Sequence, residues 1–403
     1  MVSSADTAWV LLSSALVLLM IPGLAFFYGG LVRGKNVAGT IMQVIVTMGV
    51  VGVMWVLWGY SLTFGPSIGG FIGNLEWFAL SGVSATEPGP YSDTIPHQAF
   101  MAFQGMFAMI TPAIIIGGFA ERIRFSSFLL FIVLWTTVVY IPVAHWVWGN
   151  GGWLNELGAL DFAGGTVVHI KSGVAALVAA LIIGKRLGYS DQPTAPHNVP
   201  MVVLGAGLLW FGWFGFNAGS ALAPDSNAVN AFVVTNIAAA AGVISWTATS
   251  WLFDRKPSVI GAAAGAVAGL VAITPAAGFV GAMPAVVTGA VAGIFCYWAV
   301  EILHKLRVDD SLAVLGVHGI GGTWGALATG LFVGVGYGAL AEGVSRGDQL
   351  LYQLIGAAAA WGWAFLATGV ILLTIKATFG LRLRGRDEEA GLDASQHGEA
   401  AYS

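Results

Sequence analysis

The sequence predicts an all-α polytopic membrane protein, and three observations lead to this fold class. The 403-residue chain is 57% hydrophobic and only 9% charged, with a mean hydropathy of +0.82, whereas soluble domains carry about 25% charged residues. Apolar stretches of the roughly 20 residues that a helix needs to cross a bilayer recur along the whole chain. Lysine and arginine are confined almost entirely to alternate connections between these stretches.

The apolar stretches predict eleven transmembrane helices. Asp6 precedes the first stretch and no basic segment does, which favours a retained first helix over a cleaved signal peptide. The predicted spans cover about 8–31, 39–64, 98–119, 126–147, 162–183, 199–221, 229–253, 258–280, 283–303, 312–334 and 350–376.

The basic residues predict the orientation. All but two of the 16 Lys and Arg residues follow odd-numbered spans; the exceptions are Arg346, in an alternate connection, and Lys171, within span five. Because cytoplasmic connections are enriched in Lys and Arg, the N-terminus is predicted outside and the tail, 381–403, in the cytoplasm. The other fourteen are Arg33, Lys35, Arg122, Arg124, Lys185, Arg186, Arg255, Lys256, Lys305, Arg307, Lys376, Arg382, Arg384 and Arg386.

Several chemistries are excluded by what the sequence lacks. The single cysteine, Cys296, rules out a disulfide framework or a cysteine-based metal cluster. No nucleophile–base pair, zinc motif or phosphate-binding loop is recognisable. Acidic rings of the kind that select metal cations are missing from the spans. We therefore expect no enzymatic activity, no cofactor and no metal site.

Two histidines, His169 and His318, fall well inside predicted spans, the fifth and the tenth. Each follows an aspartate by eight residues, Asp161 or Asp310. Spans one to five and six to ten would enter the membrane from opposite sides, which is the plan of inverted-repeat transporters. We therefore predict two inverted five-helix halves, and we place them at about 8–183 and 199–334, with an eleventh helix at about 350–376.

The spacing on span five places its polar residues on one stripe. Asp161, Gly165, His169 and Gly173 recur every four residues, and the glycines allow a close neighbouring helix. A single histidine in a membrane helix can have a purely structural role, namely a hydrogen bond to a neighbouring helix. A matched pair in opposite halves favours instead a relay for a proton or for a small hydrogen-bonding molecule.

Lys171 faces away from this stripe, near the predicted middle of the bilayer. A charge there costs about 2.5–3.5 kcal/mol unless it is paired or wetted. We expect its side chain to reach carbonyls, hydroxyls or water at a helix or subunit junction, outside any pore.

Aromatic residues at the predicted outer ends of the spans suggest a cation as substrate. Phe103 and Phe107 begin span three, Trp148 ends span four, and span six carries Trp213, Phe216 and Ser220. A desolvated aromatic face holds a cation by about 2 kcal/mol or more. Tryptophan also collects at membrane interfaces without any ligand, so a single tryptophan here could be either a cation-binding residue or an ordinary interfacial one.

The sequence as a whole resembles the ammonium transporter family (Amt/Mep/Rh), on its bacterial Amt branch. The resemblance runs nearly end to end and rests on the segments PGLAFFYGGLVRGKNV, AFQGMF, ERIRFS, YIPVAHWVW, ALDFAGGTVVHI, PHNVPMV, GWFGFNAGS, ITPAAG, RVDDSLAVLGVHG and GLDASQHGEAAY. It implies homotrimers with one pore per subunit in a bacterial inner (plasma) membrane. Lys171 departs from the small or neutral polar residue expected after VVHI.

The resemblance also implies roles for individual residues. Phe107, Trp148 and Ser220, with Phe103 nearby, would form an outer ammonium site. Phe107 and Phe216 would be a stacked phenyl gate, and His169 and His318 the twin histidines of a hydrophobic pore. Asp161 would cap local backbone and so stabilise the outer site without binding ammonium.

The implied function is ammonium uptake, with NH4+ recognised outside and ammonia conducted while the proton is handled separately. Ammonium and the lipid bilayer are the expected partners, and a PII-type regulatory protein would act on the cytoplasmic tail; nucleic acid is not expected. Residues 1–380 would form the transmembrane domain, and a solvated, disordered tail is the alternative for 381–403. An ammonium sensor remains an alternative, disfavoured by the short tail. A Rh-type channel for neutral NH3 or CO2 is another, disfavoured by Trp148 and Ser220.

Overall fold

Apolar helices make up most of the chain in the computed structural model, which describes residues 1–189 and 195–402. Of the helices α1 to α11 defined below, all but the shorter Val259–Ile273 and Gly321–Phe332 belong, within the described ranges, to segments long and apolar enough to cross a bilayer alone. The multi-pass, all-helical prediction is thus confirmed, while the count of eleven spans stays a prediction. The helices are α1 (Ser4–Leu31), α2 (Gly34–Phe64), α3 (His97–Phe119), α4 (Phe125–Leu157, broken at 149–152), α5 (Gly165–Ile183), α6 (Val199–Gly219), α7 (Ser226–Asp254), α8 (Val259–Ile273), α9 (Ala282–Lys305), α10 (Gly321–Phe332) and α11 (Arg346–Thr378).

Wider π-helical turns interrupt several of these helices. Such turns insert a residue into the helix and are frequent at functional sites. Two of them carry the predicted histidines: Gly165–Ile170 opens α5, and Leu315–Ile320 leads into α10. Others are Trp55–Gly59 within α2, Thr136–Tyr140 within α4 and Asp393–His397 in the tail.

The connection from α2 to α3 folds over one end of the bundle, which we call the hairpin end (residues 65–96). It contains two antiparallel hairpins and a short 3-10 turn, Phe78–Leu80. The strands are β1 (Ser67–Ile68) with β2 (Ile72–Gly73), and β3 (Pro88–Gly89) with β4 (Ser92–Pro96). The first pairing aligns Ser67 with Gly73.

The tail packs against the opposite end of the bundle, which we call the tail end (residues 381–402). It includes α12 (Gly385–Ala390) and the turn that follows. Leu392 is buried, and the Asp393 carboxylate accepts hydrogen bonds from the backbone N–H groups of Ala38 and Gly39 at 3.1 and 2.7 Å. Residues 391–393 are therefore buried against the bundle, whereas 398–402 are exposed; Ser403 lies outside the described residues.

Beneath the tail, buried ion pairs join four of the connections between helices. The Glu121 carboxylate lies 2.6 Å from the Arg33 guanidinium and 3.5 Å from that of Arg186. Arg186 also pairs with Asp309 at 2.9 Å. Burial alone would raise the pKa of Glu121, but the charges of Arg186 and Arg33 hold it below its ordinary value of 4.5. Glu121 is therefore ionised at neutral pH.

Candidate functional site: a buried histidine pair below two phenyl rings

The two predicted histidines meet in the interior of the bundle. Their Nδ1 atoms are 3.1 Å apart, and their ring centroids are 5.2 Å apart at an interplanar angle of 29°. His169 is 1% and His318 7% exposed. Nε2 of His169 is buried without a hydrogen-bond partner among the described residues. A polar atom in this state is ready to accept or donate a hydrogen bond to a small molecule.

Aspartate caps position both histidine-bearing turns. The Asp161 carboxylate accepts four backbone N–H bonds of 2.6–3.0 Å, from Gly164, Gly165, Thr166 and Val167. Asp310 accepts the N–H of Leu315 at 2.7 Å. Charged acceptors at helix N-termini satisfy otherwise unpaired donors and favour the helix dipole. The eight-residue spacing in the sequence thus corresponds to a similar local structure in both places.

A glycine contact allows the two turns to approach. A Cβ atom added at Gly173 would lie 2.2 Å from the backbone nitrogen of Gly319. That distance is far shorter than any ordinary contact, so only glycine allows this backbone approach. Because Gly173 and Gly319 flank the two histidines in sequence, their contact holds the imidazoles within hydrogen-bond distance of each other.

A small apolar cavity of about 20 Å³ adjoins the histidine pair. A volume of this order is enough for one water-sized molecule. Both imidazoles line it, and the remaining walls are apolar or aromatic: Met20, Leu24, Phe27, Ile110, Ile114, Val168, Leu209, Trp213, Phe216 and Val267. A small hydrogen-bonding species entering this space would find the histidines as its main polar partners.

Two phenyl rings lie on the side of the cavity toward the hairpin end. The rings of Phe107 and Phe216 have centroids 4.2 Å apart and are tilted by 31°. Phe107 is fully buried and Phe216 is 1% exposed. The Phe216 centroid is 6.1 Å from that of His169. This phenyl pair therefore lies directly beside the histidines.

The other aromatic residues predicted for the outer site surround Phe107. Trp148 meets it edge-on at 5.8 Å between centroids, and Phe103 at 5.0 Å. The Trp148 indole N–H donates to the carbonyl of Asp161 at 2.8 Å. Ser220 lies one turn beyond Phe216 and its hydroxyl donates to the Phe216 carbonyl at 2.9 Å. The predicted site residues therefore form one connected set of contacts that includes the histidine pair.

A larger cavity of about 410 Å³ extends from His318 toward the tail end. Tyr28 and Phe27 form part of its wall near the histidine, and Asp254, Glu301 and Asp310 contribute acidic groups. His318 thus lines both the narrow apolar cavity and the wider one, whose wall includes acidic side chains.

Trp213 was singled out in the sequence only as one aromatic among several. The structure places it against the histidine pair, stacked on His169 with centroids 5.4 Å apart at 23°. Its indole N–H donates to the Thr274 hydroxyl at 2.8 Å, which fixes the ring. The partner of Trp213 lies 61 residues away, so no local spacing could reveal this role.

No cluster of three or more His, Cys, Asp or Glu side chains that could hold a metal ion occurs among residues 1–189 and 195–402. The histidine pair alone offers too few ligands for a protein metal site. The apolar and aromatic side chains around the pair suit a small neutral molecule, or a cation of the ammonium type, better than a metal ion.

Comparison with known proteins identifies the family. A model described as "Ammonium Transporter Family" matches residues 8–402. A protein of Bacillus subtilis named "Ammonium transporter" is 50% identical over 401 residues, covering 98% of each chain. The crystal structure of Saccharomyces cerevisiae Mep2 superposes with a TM-score of 0.90 at 40% identity, covering 100% of this chain and 92% of that one. A structure named "Sensor Amt Protein" gives 0.91 at 32% identity, covering 98% of both chains. Because these matches cover nearly its whole length, this chain belongs to the ammonium transporter family.

Proposed function

We propose that the chain conducts ammonium nitrogen across a membrane, taking NH4+ at an aromatic site and passing ammonia along the histidine pair. The observation that carries this proposal is the pair itself, two imidazoles in hydrogen-bond contact beside an apolar cavity of about 20 Å³. Ammonia and water are similar in size, and a charged ion in such a cavity would lose its hydration with little replacement. The cavity therefore favours the neutral molecule.

Sharing one proton between the two Nδ1 atoms gives the histidines complementary roles. When His169 donates through Nδ1, its Nε2 is an acceptor and Nε2 of His318 carries the other proton. When the central proton moves across, Nε2 of His169 takes up a proton and Nε2 of His318 releases one, and the two outer nitrogens then have exchanged roles. The pair can thus accept a hydrogen bond at one end while donating at the other, or relay a proton between its ends.

In this proposal the aromatic residues select and admit the substrate. The ring faces of Phe103, Phe107 and Trp148 would hold NH4+ by cation–π attraction beside the Ser220 hydroxyl. The phenyl pair of Phe107 and Phe216, 4.2 Å apart, has to separate for a molecule to pass. Removing a proton before this point leaves a neutral species for the apolar cavity.

The remaining features of the proposal concern placement and assembly. The positive-inside distribution supports an orientation with the hairpin end outside and the tail end in the cytoplasm, and we propose that the protein lies in the plasma membrane. We propose a homotrimer with one pore per subunit, two inverted halves within residues 1–380, and regulation by a PII-type protein at the tail, 381–403. The similarly capped histidine turns of α5 and α10 support the two-half arrangement.

A transport measurement on proteoliposomes tests the function. Concentration jumps of ammonium on a solid-supported membrane should give transient currents that saturate with concentration, and equal jumps of potassium should give none. Neutral-gas conduction would give ammonia-dependent pH changes inside the vesicles without current. An ammonium sensor would bind its ligand with neither current nor flux, and that result would replace transport with sensing.

A further inference from the structure

Lys171 is the one charged side chain that the proposed pathway leaves unused inside α5. Its side chain is fully buried. Its Nζ atom donates a hydrogen bond of 3.0 Å to the carbonyl of Tyr140 and lies 3.9 Å from the centroid of the same residue's ring. No carboxylate of residues 1–189 or 195–402 forms an ion pair with it. As expected from the sequence, it reaches a carbonyl at a helix junction and lies outside the narrow cavity.

The contacts of Nζ are those that recognise an ammonium cation. A carbonyl oxygen and the face of an aromatic ring are both electron-rich. A neutral amine would need a donor for its lone pair, and neither contact supplies one. The protonated form, with three donors and no lone pair, suits both contacts. These two contacts therefore favour the protonated form of Lys171.

This charge lies close to the path but is separated from it by protein. Lys171 follows His169 by two residues, which places the side chains on opposite sides of the helix. It follows Asp161 by ten residues, and the carboxylate of Asp161 acts on it electrostatically without forming an ion pair. Tyr140, which holds Nζ, belongs to the π-helical turn of α4, the helix that also carries Trp148. A substrate on the path would sense the charge without touching it.

We propose that Lys171 tunes the affinity for cations, because its buried positive charge weakens the binding of ammonium and of other cations at the aromatic site. This inference rests on the proposed transport function. A unit charge roughly 15 Å from a cation, at an effective dielectric constant of about 20, changes the cation's binding constant by about sixfold. Water does not screen this interaction, because Lys171 is enclosed by protein. The charge thus discriminates against every cation equally and leaves the passage of neutral ammonia unaffected.

The test uses Lys171→Gln, which keeps a hydrogen-bond donor for Tyr140 but removes the charge, and Lys171→Met, which removes both. Currents are recorded on a solid-supported membrane with the full chain in proteoliposomes. For both variants we expect the half-saturating ammonium concentration to fall about sixfold, maximal current to stay within about twofold, and inhibition by added potassium to strengthen by a similar factor. Lys376→Gln is the matched control. That lysine also donates to a backbone carbonyl of α5, at Ile182, but is exposed, so its loss should change neither quantity.

Three results would overturn the inference while leaving the transport function intact. The first is an unchanged half-saturating concentration and potassium response in the Gln variant with a normal wild-type current. The second is a shift in the Met variant alone, which would assign the effect to the hydrogen bond. The third comes from Lys171→Arg, which retains the charge and should behave as wild type even if the neutral variants fail to assemble. A sixfold shift of the half-saturating concentration in this variant would assign the effect to the shape of the side chain. Absence of any ammonium current in the wild-type protein would instead refute the transport function itself.

Discussion

Replacing either buried histidine with leucine gives the strongest test of the proposed relay. Leucine is close to histidine in size, so the cavity of about 20 Å³ should keep its shape. The change removes a hydrogen-bonding partner from a space whose other walls are apolar or aromatic. An unpaired polar group in an apolar medium costs about 2–7 kcal/mol. Since each 1.36 kcal/mol on a barrier is about a tenfold change in rate, the low end predicts about a thirtyfold loss.

A packing role predicts a much smaller effect. Hydrogen bonds between membrane helices average about 0.6 kcal/mol, which would lower stability slightly and leave the rate of passage nearly unchanged. The two interpretations therefore differ by more than tenfold in current. His169→Leu and His318→Leu should each lose at least about thirtyfold of the ammonium-driven current, while expression and oligomeric assembly stay normal.

The assay compares currents at equal protein density in the same liposomes, after size-exclusion chromatography has confirmed assembly. Leu209→Met is the matched control, because Leu209 lines the same cavity and Met is similar in volume. The control should change the current by less than about threefold. Near-normal current through either leucine variant would return both histidines to a packing role.

Three further perturbations follow from packing and charge. Deleting 385–403 should reduce or deregulate flux without dispersing the oligomer, measured by current and light scattering; unchanged flux and an unchanged response to a PII protein would assign the tail no regulatory role. Gly173→Val should lower the thermal midpoint, equivalent to about 1–3 kcal/mol, because its Cβ would lie 2.2 Å from the Gly319 nitrogen; Gly207→Val, with open space around the added atom, should be nearly neutral by the same thermal scan. Glu121 stabilises the fold above its ordinary pKa of 4.5 and loses this contribution as the pH falls through its lower folded-state pKa. Glu121→Gln should therefore cost about 3–5 kcal/mol at neutral pH and flatten the acid limb of a thermal-midpoint titration; an acid limb as steep as that of wild type would contradict this assignment.

The parts of this molecule that sequence reasoning reached are those governed by local rules. Helix length and hydropathy depend on contiguous residues, so a multi-pass helical protein was predictable. The eight-residue interval from Asp161 to His169 predicts a matched element around Asp310 and His318, and the structure contains similar caps at both. The type of partner that Lys171 contacts was also predictable, since a buried ammonium group has to find carbonyls or similar acceptors.

The remaining features depend on contacts between distant segments. Trp213 stacks on His169 only because α6 crosses α5, and the ring is fixed by Thr274 on yet another segment. The tail carries a charge pattern typical of a solvated terminus, yet Asp393 caps the start of α2, more than 350 residues away. The π-helical turns at both histidines lack a residue signature that distinguishes them from ordinary α-helix.

The cap made by Asp161 has a consequence for ions other than ammonium. An ionised carboxylate has about four acceptor positions, and four backbone N–H groups occupy those of Asp161. Sodium and potassium ions enter selective pores by exchanging their water for bare oxygen atoms. Asp161 contributes negative potential but has no oxygen lone pair left for such an exchange, and the neighbouring rings of Phe103, Phe107 and Trp148 have none to give. Under the proposed function, an alkali ion at this entrance would find few bare oxygen atoms besides the Ser220 hydroxyl. It would therefore retain most of its hydration shell and be too wide to pass between the two phenyl rings.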